Sequence, residues 1–251
     1  MLTRQRKQLI LERLRRDGQI VAKAISQELH LSEDTIRKDL RELAQEGRLQ
    51  RVHGGALPAS PAVADYAGRE RLATAGKAAI GRAAARLIQP GQVVILDGGT
   101  TALQVALHLP PDLRATVVTH SPTIAVALVE HAGVDVVLIG GKLFKHSIVA
   151  VGAAAIEAIA RIRADVFFMG VTGIHPEAGL STGDLEEAHV KRALLRSAAE
   201  TMVLASTEKL SAASSYVIVP IGEASGLIVE PDTPATVTEP YEQLGLTITR
   251  A

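Results

Sequence analysis

The sequence predicts an α/β protein in two parts, a small helical amino-terminal unit and a larger α/β domain with a mainly parallel sheet. Three observations predict it. Helix-period apolar positions run through residues 3–46, short β-branched runs alternate with helical segments beyond residue 77, and a two-proline stretch of small residues, 56–65, separates the patterns. With 251 residues, 47% of them hydrophobic, the chain can bury two cores without staples. The absence of cysteine excludes a disulfide scaffold, a thiolate nucleophile, an iron–sulfur cluster and any cysteine-built zinc site.

In the amino-terminal unit, helical patterns cover residues 3–17, 21–30 and 32–46, broken at Asp17 and Gly18 and around Leu31. The second helix is expected to bury Val21, Ile25 and Leu29. In the third, Ile36, Leu40 and Leu43 fall on one stripe at 100° per residue, with Ser32 as N-cap and Glu33 and Asp34 in the first turn. A short strand-like piece ending at Gly54 and Gly55 follows, so the unit reads as a helix-turn-helix with a wing. The expected boundaries are 1–57 for this unit, 58–71 for an exposed linker and 72–251 for the α/β domain. There, strands are expected at 93–96, 116–119, 134–139, 166–169 and 202–205, with helices near 77–88, 101–109, 123–132, 152–161 and 185–199. Ligands of such sheets gather where strands end.

Net charge is zero overall, yet residues 1–57 hold 12 Lys and Arg against 8 Asp and Glu, and the remainder 15 against 19. A positive head suits a polyanion. Aromatics at 2% argue against stacking on single strands and leave a duplex groove open. Thr35, Arg37 and Lys38 project from the first turns of the third helix, the part of a recognition helix that reaches base edges; Arg41, Arg48, Arg51 and His53 extend the basic surface onto the wing. Taken alone, such a helix could equally be a charged solvated face, and similar helix pairs serve protein-binding modules.

Here a resemblance adds to the residues. The pattern Ile10, Leu11, Leu14, Gly18, Leu29, Ser32, Thr35, Ile36, Arg37, Lys38, Asp39, Leu40, Leu43, Gly47, Leu49, Arg51, His53, Gly54, Gly55 and Ala56 resembles the winged helix-turn-helix of the DeoR-type bacterial transcription regulators. That family usually has arginine at the place of Lys38, and lysine favours phosphate contact over bidentate reading. Asp39 is expected to hold a nearby arginine.

In the larger unit the sharpest feature is Asp97, Gly98, Gly99, Thr100 and Thr101, between a strand and a helix start. Glycines admit an anion closely, hydroxyls donate, and the helix start adds free N–H groups. A plain strand-to-helix turn would look the same, and the spacing fits neither the P-loop nor the dinucleotide fingerprint. Gly140, Gly141 and Lys142 follow another strand. Glu187 and Lys191 stand four apart, as a surface ion pair would. Lys209 is a lone lysine after the last of these strands.

Together with Val118, Thr119, His120, Ser121, Val151, Gly152, Arg163 to Asp165, Gly179 to Thr182, Asp184 to Glu187 and Ser206 to Lys209, these resemble the effector domain of the same family, from about Lys77 to Glu230. The resemblance implies a fold related to sugar-phosphate isomerases and coenzyme A transferases. It implies a phosphorylated sugar or related metabolite as ligand, with Gly98, Gly99, Thr100 and Thr101 on the phosphate, Asp97 and Asp184 on sugar hydroxyls, and Lys209 adding charge. His120, Lys142, Glu187 and Lys191 complete the expected effector set. His120 stands where asparagine is common, and Ser206, Thr207 and Glu208 replace the usual aspartate and serines, so recognition of the sugar hydroxyls is expected to differ from the family's.

No two of the eight histidines share an i,i+3 or i,i+4 spacing, so no metal site is expected, and no cofactor either. The expected function is a DNA-binding transcription regulator, a repressor of carbohydrate-metabolism genes, binding double-stranded operator DNA and acting as a homo-oligomer. The alternative is a sugar-phosphate isomerase-like enzyme, for which residues 1–57 would have no evident use; a winged-helix adaptor for protein partners is a third. Residues 1–16 offer no signal-peptide core and no run of about 18 apolar residues occurs, so a cytoplasmic protein without a membrane span is expected.

Overall fold

Amphipathic spacing lets the first residues fold around one small core. The computed structural model describes residues 2–251 and shows α1 (Thr3–Asp17), β1 (Ile20–Val21), α2 (Ala22–Glu28), α3 (Glu33–Gln45), β2 (Leu49–Val52) and β3 (Gly55–Pro58). Ile10, Leu11, Leu14, Ile25, Ile36, Leu40 and Leu43 close the helices on one another. The Ser32 hydroxyl accepts from the Thr35 amide, which fixes the start of α3. Val21 is a correction: it is half exposed, and Ile20 is buried in its place. The reason is pairing, since Ile20 and Val21 form a strand on β3 before the helix begins. Gly55 is required there, because a Cβ would stand 1.7 Å from the Ile20 carbonyl oxygen.

The expected exposed linker is also corrected. The strand β3 runs through Pro58, whose carbonyl accepts the Ala213 amide at 3.2 Å. A 3-10 turn at Pro61–Val63 and α4 (Tyr66–Glu70) follow, capped by the side chains of Ser60 and Asp65. Ser60, Ala62 and Tyr66 are buried, and the Tyr66 amide donates to the His146 carbonyl at 3.0 Å. Small residues and prolines here make a strap that packs closely, where composition alone suggested a tether.

The larger unit continues with α5 (Thr74–Leu87), β4 (Val93–Leu96), α6 (Thr100–Leu107), β5 (Ala115–Thr119), α7 (Pro122–Ala127), β6 (Val134–Leu138), β7 (Lys142–Phe144), β8 (Val149–Val151), α8 (Ala153–Ile159) and β9 (Ala164–Met169). Then come β10 (Gly173–His175), β11 (Gly179–Thr182), α9 (Leu185–Arg196), β12 (Ala198–Ala205), β13 (Tyr216–Val219), β14 (Gly226–Val229), α10 (Ala235–Glu242) and β15 (Thr247–Arg250). Seven strands form a parallel sheet in the order β15-β14-β12-β9-β4-β5-β6. Its central strands are apolar on both faces. Ile95, Phe167, Val203 and Leu227 meet α8, α9 and α10, while Val94, Leu96, Phe168, Leu204 and Ile228 meet α5, α6 and α7. The strands β7 and β8 pair as a hairpin, and β10, β11 and β13 form a small antiparallel sheet. No described helix is long and apolar enough to cross a membrane.

Candidate functional site

On the amino-terminal unit, α3 turns Arg37, Lys38 and Arg41 outward, and the wing exposes Arg48, Arg51 and His53. Arg37, Arg51 and His53 line one groove between α3 and the β2–β3 turn, where Gly54 holds φ +77°. Arg37 Nη2 donates to Glu33 Oε2 at 3.1 Å, an exposed pair that a stronger anion can displace. Thr35 is half buried and its hydroxyl lies 2.8 Å from that of Ser32. Asp39 faces inward, buried, and binds Arg6 through Nε and Nη2. It positions α3 on α1 as expected.

On the larger unit a small cavity opens at the carboxyl ends of three neighbouring strands, β4, β9 and β12. Gly98, Gly99, Thr100 and Thr101 follow β4 and open α6; Gly170, Val171 and Thr172 follow β9; Glu208 and Lys209 follow β12. Both glycines are demanded by geometry. A Cβ on Gly98 would meet Val149 at 2.1 Å, and Gly99, the residue before α6, has φ +104°. The start of α6, with its unpaired first N–H groups and the buried Thr100 and Thr101, therefore lines the cavity.

Four cationic side chains line this cavity: Arg69, Lys77, Lys191 and Lys209, against the carboxylates of Glu187 and Glu208. Lys209 is buried, and its ammonium donates to the Leu204 carbonyl at 3.2 Å and to Thr101 Oγ1 at 3.4 Å. Burial pushes it down to about 8. Burial likewise lowers Lys77 and Arg69. Among the described residues none of these three forms an ion pair, and Arg69 Nε and Glu208 Oε2 are buried without a hydrogen-bond partner. Such a surplus of desolvated positive charge is costly unless an anion meets it.

Asp97 is fully buried beneath the loop and is spent on the protein itself. It accepts from the amides of Gly98 and Gly170, each at 2.8 Å, and from Lys191 Nζ at 2.5 Å, and it meets His120 Nε2 at 2.8 Å. Burial alone would raise its carboxyl, but Lys191 and the His120 hydrogen bond hold it below the usual range. Contact with sugar hydroxyls was expected of Asp97; its place behind the wall makes it a positioning residue instead. His120, fully buried, is behind the wall too, with Nδ1 on the Ala150 carbonyl at 2.9 Å.

Three further expectations change. Lys142 is exposed at the start of β7 and lies outside the cavity lining, because the glycines before it lead into a surface hairpin. Asp184 caps α9 by accepting the Glu187 amide at 3.0 Å, and it lines the neighbouring cleft. Glu187 and Lys191 make no surface ion pair. Both are buried, Lys191 on Asp97, and Glu187 accepting from Ser147 Oγ at 3.3 Å and Thr182 Oγ1 at 3.5 Å. Arg69, Lys77 and Ser147 carry no local motif, and sequence reasoning misses them.

A basic winged helix-turn-helix joined by a packed strap to an α/β unit with a cationic cavity defines a class: DNA-binding transcription regulators that respond to a small ligand. The chain belongs to the DeoR family. Residues 6–61 match the DeoR-like helix-turn-helix domain and residues 72–231 the DeoR C terminal sensor domain; Arg69 falls between the two. The chain is 34% identical to the HTH-type transcriptional regulator GlpR of Haloferax volcanii, over 99% of this chain and 98% of that protein. It is 34% identical to the HTH-type transcriptional repressor GlcR of Bacillus subtilis over 88% and 86%. Identity to the glycerol-3-phosphate regulon repressor of Haemophilus influenzae is 31% over 88% and 85%.

Proposed function

We propose that this chain is a repressor of carbohydrate-metabolism genes whose grip on operator DNA is set by a phosphorylated sugar or related phosphate ester in the β4–β9–β12 cavity. One observation carries the reading: desolvated, unpaired cations gather around a helix start lined with glycine and threonine. The phosphate is held by Gly98, Gly99, Thr100, Thr101 and Lys209. Lys191 and Glu187 shape the wall, and Thr172, Thr182 and Glu208 offer groups for hydroxyls. Similarity to a repressor of a glycerol-3-phosphate regulon supports a phosphorylated effector. Operator contact is assigned to Thr35, Arg37, Lys38, Arg41, Arg48, Arg51 and His53, with the chain acting as a homo-oligomer.

The test is calorimetric titration of matched phosphorylated and unphosphorylated sugars into the full chain, with and without operator DNA. Tighter binding of the phosphorylated partner is expected, with operator and sugar phosphate changing each other's affinity by one common factor. Preference for the unphosphorylated sugar overturns the reading. Because Glu187 is a carboxylate inside the cavity, an isomerase remains the second reading. The same sugar phosphates should be recovered unchanged, and saturable turnover lost in Glu187→Gln would favour the enzyme.

A further inference from the structure

We infer that Arg69, on the strap between the two units, is itself a ligand of the bound anion and is the residue through which occupancy of the cavity reaches the DNA-binding head. The inference rests on the reading of that cavity as an anion site. Arg69 lies on α4, between the head and α5, on the only covalent path from one unit to the other. Its guanidinium has five donors. Nη2 reaches Ser147 Oγ at 3.1 Å and the His146 carbonyl at 3.4 Å, while Nε is buried with no partner. The Arg69 carbonyl accepts Lys77 Nζ at 2.6 Å, so a second cavity cation is fastened to the backbone of α4.

Arg69 also touches a second space. A cleft between head and larger unit is lined by Gly47, Leu49 and Gln50 from the head, and by Arg69, Ser147 and Glu187, which line the cavity as well. Those three are linked, Arg69 to Ser147 and Ser147 to Glu187 at 3.3 Å. A guanidinium gives up neutral acceptors for a phosphate, which it grips with two parallel charge-assisted bonds. Arg69 that turns onto the anion must loosen Ser147 and the His146 carbonyl, the same carbonyl pair of contacts by which Tyr66 and Arg69 seat α4. The anion therefore binds two seatings of the strap unequally, which is the condition for a ligand to shift the head.

The experiment uses the full chain, with inorganic phosphate as the probe and chloride at matched ionic strength as the reference, because operator binding is itself salt-dependent. Phosphate affinity and operator affinity are measured for the wild type, Arg69→Gln and Arg69→Lys. In Arg69→Gln, phosphate affinity falls about ten-fold or more, and phosphate no longer changes operator affinity. Arg69→Lys keeps the charge and part of the phosphate affinity but loses the effect on operator DNA; it also serves if Arg69→Gln does not fold. Wild-type phosphate binding together with a retained phosphate effect in both variants overturns the inference alone. A wild type that takes up no phosphate overturns it together with the anion reading of the cavity.

Discussion

Lys209 carries a charge into a place where charge is costly. Burial lowers its ammonium from 10.5 to about 8. Between these values the unfolded chain holds a proton that the folded chain has released, so this residue makes stability rise with pH across that window. Below about 8 both states are protonated and the full cost of burial is present. An anion in the cavity favours the charged form, so binding above that pH must draw in a proton. A phosphate ester, with its second pKa near ~6, is already a dianion there. Effector affinity is thus expected to be level from pH 7 to 8 and then to fall, by up to about ten-fold per pH unit. Calorimetry in two buffers of different ionisation enthalpy should show proton uptake near pH 9; affinity that stays flat to pH 9.5 removes Lys209 from the phosphate. At this scale Thr100, Thr101 and Lys209 were legible, since each stands just after a strand. Arg69 and Lys77 were not, because nothing local marks a cation that packing carries into a cavity.

The helix α3 and the wing divide their labour by what each can reach. Arg37 stands in the first turns of α3 with an exposed side chain, while Arg51 lies on β2 beside the turn. Arg37→Ala is expected to narrow the gap between operator and random DNA by about 1–3 kcal/mol. Arg51→Ala should weaken both alike and reduce the salt slope by about one phosphate contact. Titrations at several salt concentrations separate the two, and unchanged affinities in both variants would remove the groove from the interface. The amphipathic helices of the head and five strands of the central sheet, β4, β5, β6, β9 and β12, could be read from the sequence pattern, whereas β14 and β15 at its far edge were not among the expected strands. The short strands β7, β8, β10, β11 and β13 could not, for at three or four residues their pattern is too brief and their partners are set by the chain's path. The helix α10 contains Pro240, a residue that disfavours a helix interior, and Tyr241, fully buried next to it, shows that packing outweighs that local preference.

Across the whole molecule the parallel sheet ends at β6, an edge strand on which Val137 and Leu138 are substantially exposed. Val126 and Val129, in and just after the helix α7 beside it, are 72% exposed, and Leu143 on β7 is exposed as well. A free edge with apolar side chains invites a second copy. Val137→Lys combined with Leu138→Lys is expected to release 26.5 kDa monomers in sedimentation and to weaken operator binding, since one head offers half of a two-fold contact. Oligomers unchanged in mass would move the interface elsewhere. What the sequence determined by itself was whatever repeats or caps within a few residues: the stripe of α3, the Ser32 cap, the alternation of strands and helices, and the glycine-threonine loop. Only the tertiary structure decided where long charged side chains go. Spacing offered Glu187 and Lys191 to each other, yet Lys191 reaches Asp97, 94 residues earlier, and Lys142 stays in solvent. A buried charge must find its partner wherever packing places one, and that partner can lie anywhere along the chain.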